Sequence, residues 1–96
     1  MIAVHPGRVL KRELAARGLS ANRLALELKV PSGRITDILN GKRGISPETA
    51  LRLARFIGNS ARFWLNLQTA YELALADRDI GARIAEEVKP AAVAGA

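Results

Sequence analysis

The sequence predicts an all-α fold of five helices, and three observations carry that expectation. Apolar residues recur at helical spacing through most of the 96 residues, and no stretch alternates apolar and polar at the period of a strand. A proline or a capping serine stands at the start of nearly every helical pattern. A chain of this length makes one small domain with a modest core, able to fold alone but gaining from dimerisation.

The stretch Ser20–Arg43 organises the rest. Two short helices, Ser20–Leu28 and Ser32–Asn40, flank the tight connection Lys29-Val30-Pro31. Leu24 and Leu28 lie one turn apart on the first, and Ile35, Ile38 and Leu39 form an i, i+3, i+4 stripe on the second. Ala25 stands where the helices cross, small enough for a steep, close approach. The connection predicts positive φ at Lys29, a conformation that costs a non-glycine residue roughly 1 kcal/mol. The pattern is a helix-turn-helix with a polar, partly basic outer face.

The other elements follow in order. Pro6 opens the first helix, where its missing amide hydrogen goes unneeded; Val9, Leu10, Leu14 and Ala15 face inward, and Gly18 ends it. Ser20 caps the second helix. Ser46-Pro47-Glu48 starts the fourth with a cap, a first-turn proline and a first-turn acid. That helix turns Ala50, Leu51, Leu53, Ala54 and Ile57 inward and stops at Gly58. Ser60 caps the fifth, Ala61 to about Ala76. Ile80, Ile84 and Val88 suggest a further short helix over Asp79–Val88, and the tail is expected to fray from Pro90. The domain organisation is thus one helix-turn-helix domain, 1–76, followed by a C-terminal extension, 77–96.

Charge points to a partner. The net charge is +6, and residues 1–45 hold nine Lys/Arg against three acids, while residues 46–96 hold six of each. The whole excess lies in the half with the helix-turn-helix, as phosphate binding requires. In such a motif the second helix enters the major groove and presents its N-terminal side chains to base edges. Ser32, Arg34, Thr36, Asp37 and Asn40 are the candidates. Arg34 suits guanine or phosphate, Asn40 adenine, Thr36 the thymine methyl, and Asp37 a cytosine amine or the orientation of Arg34. Gly33 lets the backbone approach closely. Lys42, Arg43, Asn22 and Arg23 are placed to grip phosphates.

The fifth helix is too apolar for a surface helix, which needs one stripe about 100° wide. Phe63, Leu67, Ala70 and Ala74 form one line and Trp64, Tyr71 and Leu75 another. Phe63, Trp64, Leu67, Tyr71 and Leu75 are therefore candidate homodimer contacts, the alternative being that the domain wraps this helix in its own core.

Catalysis has little material. The chain has one histidine, His5, and no cysteine, and neither a metal-ligand cluster nor a glycine-rich phosphate loop occurs. No enzyme, cofactor or metal is expected. No apolar run approaches the ~18 residues of a membrane span, so no membrane association is expected and a cytoplasmic setting is the simplest reading.

The opening HPGRVLKREL, the run VPSGRITDILNGKRGISPETALRLARFIG and the segment SARFWLNLQTAYEL resemble the HigA-type antitoxins, also known as VapI-like plasmid-maintenance antidotes. These belong to the Cro/C1-type (XRE, lambda repressor-like) helix-turn-helix class. The resemblance covers Val4 to Leu75. It departs at Arg8, where an acid commonly follows HPG, and at Lys29, in place of the usual turn glycine. It implies a DNA-reading helix at Ser32–Asn40, with Lys42 and Arg43 beside it, and core or dimer roles around Phe63, Trp64, Leu67 and Tyr71. It further implies a homodimer that represses its own operon at an inverted repeat and neutralises a HigB-type, RelE-like mRNA-cleaving toxin. The alternative is a stand-alone XRE-type transcriptional regulator without a toxin partner. A third reading is a protein-binding helical module whose basic half is incidental.

Overall fold

The structure, a computed structural model, describes residues 2–92. Five helices follow one another: α1 (Pro6–Arg17), α2 (Ala21–Leu28), α3 (Ser32–Leu39), α4 (Pro47–Ile57) and α5 (Ala61–Glu87). None is long and apolar enough to cross a membrane.

Four helices start on a side-chain cap, which satisfies one of the amide hydrogens a helix N-terminus leaves free. The Gly7 N–H donates to His5 Nδ1 at 2.9 Å, and the Arg23 N–H donates to Ser20 Oγ at 3.1 Å. The Thr49 N–H donates to Ser46 Oγ at 3.3 Å, and the Phe63 N–H to Ser60 Oγ at 3.0 Å. The single histidine is thus a cap, and its ring also meets Tyr71 edge-on at 4.8 Å. Helix α3 has no such bond and follows Pro31 directly. Lys29 adopts φ 61°, the one positive φ at a non-glycine residue among those described.

The core is a single cluster. Leu10 and Leu14 from α1, Leu24, Ala25 and Leu28 from α2, and Ile35 and Ile38 from α3 meet Ile45, Ala50, Leu53 and Trp64. Helices α1 and α3 touch at the backbone: a Cβ on the buried Gly7 would collide with the Ile38 carbonyl. Only glycine permits that approach, and it fixes the start of α1 against the end of the helix-turn-helix.

Three expectations need correction. Leu51, assigned inward, is 64% exposed, and Ala15 is exposed as well. At 100° per residue Ala15 sits one step past Leu14 and Leu51 one step past Ala50, at the edge of each buried stripe. The segment Asp79–Val88 forms no separate helix. It continues α5, because Asp77-Arg78-Asp79 holds no breaker and Gly81 costs a helix only about 1 kcal/mol. The 27 residues of α5 span roughly 40 Å at 1.5 Å per residue. The last buried one is Ala74, so its C-terminal turns stand beyond the core and the long axis reaches 54 Å. Helix ends at Glu87, ahead of Pro90; the tail expected to fray lies partly outside the described residues.

Candidate nucleic-acid interface

The helix-turn-helix turns a polar face to solvent because its apolar stripe is fully used. Ile35 and Ile38 are each 0% exposed, which fixes the rotation of α3. Ser32, Gly33, Thr36 and Asn40 then lie exposed along one side, with Arg34 and Asp37 half-buried at its margins. A Cβ at Gly33 would meet nothing within 4 Å, so the backbone there is open to close approach. Thr36 Oγ1 donates to the Ser32 carbonyl at 3.2 Å, which leaves the hydroxyl oxygen able to accept. Asn22 and Arg23 are exposed at the start of α2, where helix polarity favours an anion.

Two candidates have neighbours that the sequence did not disclose. Arg34, 23% exposed, has Nη1 at 3.7 Å from Glu48 Oε2 at the start of α4. Glu48, rather than Asp37, is the acid that meets Arg34. The same carboxylate accepts from Arg52 Nε at 3.0 Å, and Arg52 Nη1 donates to the Leu28 carbonyl at 2.9 Å. This chain of contacts joins α3, α4 and the end of α2, and it occupies the turn where Lys29 is strained. Exposed ion pairs contribute little stability; here they set where the Arg34 guanidinium stands. Asp37 serves through its backbone, its carbonyl accepting from the Lys42 N–H at 2.8 Å and the Arg43 N–H at 3.2 Å. Both basic side chains of that loop are exposed.

The loop is held from behind by a residue absent from the sequence-based candidates. Gln68 Oε1 accepts from the Ile45 N–H at 2.8 Å, and its Nε2 donates to Glu72 Oε2 at 2.8 Å. Gly44 lies against the same carboxamide, 2.7 Å separating Gln68 Nε2 from the place a Cβ would take. One signal was present: Gln68 is a polar residue between Trp64 and Tyr71 on an otherwise apolar line.

The dimer candidates divide. Trp64 is 1% exposed, lies in the core and donates from Nε1 to Asn59 Oδ1 at 3.0 Å, so it is not a surface contact. Leu67 packs partly buried on the same core. Their side of α5 faces α4 and α1, which cover Trp64 and part of Leu67. Phe63 stays 43% exposed, its ring edge-on to Trp64 at 5.1 Å, and Tyr71 and Leu75 are half-buried.

The helix-turn-helix family model matches residues 10–64, more than half of the chain. Virulence-associated protein I of Dichelobacter nodosus is 50% identical over 80 residues, covering 82% of this chain and 74% of that protein. An addiction module antidote protein of the HigA family from Coxiella burnetii superposes with a TM-score of 0.91 at 48% identity, over 95% of this chain and all of that one. The chain belongs to the HigA branch of the helix-turn-helix family. A third relative, the antitoxin HigA of Pseudomonas aeruginosa, was solved with the higBA promoter; it superposes with a TM-score of 0.90 at 41% identity, over 93% of this chain and 98% of that one. Relatives with HigA architecture thus share the helix-turn-helix described above across nearly their whole length.

Proposed function

We propose that this chain is an antitoxin of the HigA type that represses its own operon. The observation that carries the reading is the relative held on its promoter: it has this fold, and here α3 offers Ser32, Gly33, Thr36 and Asn40 to solvent in the position of a reading helix. Base edges fall to those residues and to Arg34, with Asp37 bracing the loop, while Lys42, Arg43, Asn22 and Arg23 take phosphates. Two copies bind an inverted repeat, with reading helices about 34 Å apart. Phe63, Tyr71 and Leu75 belong to the surface that meets the second copy. Exposed Leu73, Ile80 and Ile84 form a separate apolar line on another side of the projecting part of α5. The cognate HigB-type toxin is the remaining partner.

The test is expression beside any small protein encoded next to this gene. The proposal expects that protein to arrest growth alone and the arrest to lift on co-expression, with a footprint over the shared promoter. A footprint without rescue makes the chain a stand-alone regulator; rescue without a footprint removes the helix-turn-helix from the function.

A further inference from the structure

The cations of this chain differ in whether an acid stands beside them. Arg17, Arg23, Arg34, Arg52, Arg78 and Arg83 each have a carboxylate at 2.9 to 3.9 Å. Arg8, Lys11, Arg12, Lys42 and Arg43 are among those with no such partner among the described residues. Lys42 and Arg43 form the loop after α3. Arg8, Lys11 and Arg12 stand at i, i+3 and i+4 on one face of α1, where like charges repel and weaken a helix until an anion joins them. Together with Val4, Ala15 and Leu39 they line an open groove of about 580 Å³.

The groove is fixed to the reading helix. Leu39 is the final residue of α3, and the Gly7–Ile38 backbone contact locks the start of α1 beside it. Asn40, Gly41, Lys42 and Arg43 follow immediately in the chain. A Cβ at Gly41 would lie 4.0 Å from the His5 ring, so the loop that carries Lys42 and Arg43 passes the start of α1 near these cations.

Resting on the DNA-binding reading above, we propose that Arg8, Lys11 and Arg12 form a second phosphate-binding surface that holds duplex backbone beside the half-site read by α3. An acidic protein surface would also match the charge. Continuity with the Lys42–Arg43 loop favours the duplex. These contacts add affinity and salt dependence and carry no sequence information, because every phosphate presents the same oxygens.

The test uses the full chain with Arg8→Gln, Lys11→Gln and Arg12→Gln together. All three are exposed, and glutamine keeps helix propensity, so an unchanged thermal melt is expected. Binding is measured between 50 and 200 mM salt on the promoter duplex and on a scrambled duplex of equal length. Both affinities should fall together, about 10- to 100-fold at 100 mM salt, with the preference between duplexes kept. The slope of log K against log salt should drop by roughly 0.9 for each phosphate that the variant leaves unneutralised. A control variant, Arg78→Gln, Arg83→Gln and Lys89→Gln, removes the same charge from the far end of the molecule, and an equal effect from it overturns the proposal. So does an unchanged slope, and if the α1 variant loses binding to polyglutamate while keeping both duplex affinities the surface belongs to an acidic protein. Failure of the underlying reading looks different: the unmodified chain would then bind neither duplex in a salt-dependent way.

Discussion

Gln68 and Ile45 are joined across the domain by one hydrogen bond, the side-chain oxygen of the first accepting from the backbone N–H of the second at 2.8 Å. Ile45 is 3% exposed, so water cannot replace that acceptor. The bond makes α5 the support for the loop that carries Lys42 and Arg43.

Replacing Gln68 with Ala strands the Ile45 N–H, a loss of about 1–3 kcal/mol. The melting temperature should fall, and promoter affinity should drop further than the melt alone explains, since the loop loses its seat. Gln68→Glu keeps the acceptor for Ile45 but sets a carboxylate against Glu72 in place of the amide donor, so it should restore only part of both. Equal DNA binding by the Ala variant, measured well below its melting temperature, would free the loop from α5.

Replacing Arg34 and Thr36 with Ala should abolish preference for the promoter over scrambled DNA and leave the fold intact, both side chains lying outside the core. Footprinting and circular dichroism together decide it; an unchanged footprint takes α3 out of the reading role. Glu48→Gln should weaken the hold on Arg34 and shift base preference without removing binding.

Lys29→Gly relieves the left-handed turn. With φ at 61°, the substitution should stabilise the domain by roughly 1 kcal/mol, less whatever entropy glycine adds to the unfolded chain. Urea denaturation reads it directly. A destabilised variant would mean that the Lys29 side chain holds the turn by contacts of its own.

Trp64→Ala and Phe63→Ala, neighbours in sequence, should behave oppositely. The first empties the core at about 3–5 kcal/mol, a large share of what a domain of this size has, and should leave little folded protein. The second keeps the fold and should move the sedimentation of the proposed dimer toward monomer. A folded Trp64→Ala chain, or a Phe63→Ala chain still dimeric at low concentration, would contradict these roles.

Much of this architecture was legible in the residues. Caps at Ser20, Ser46 and Ser60, the glycine stops and the strained Lys29 are local features, decided within four residues of chain, and each stands where the pattern put it. Contact between elements is what a linear pattern does not carry. Periodicity showed that α5 has more apolar surface than one stripe, but not whether another copy or the chain itself would cover Trp64. Charge marked Arg34 as a cation, but not Glu48 as its neighbour fourteen residues on. Gln68 reads as an ordinary surface amide until the fold brings Gly44 and Ile45 beside it.

The reach of α5 past Ala74 divides one continuous helix into two thermodynamic regimes. Amides in its first half are shielded by the core and exchange with solvent only when the domain opens. Those after Asp77 rely on helix hydrogen bonds alone, and a segment of fewer than about 12–15 residues is marginal without tertiary support. In a free single copy the distal turns therefore fray on their own, exposing a protease-accessible peptide while the helix-turn-helix remains folded. A partner that covered that end would hold those turns helical and shield them from proteases.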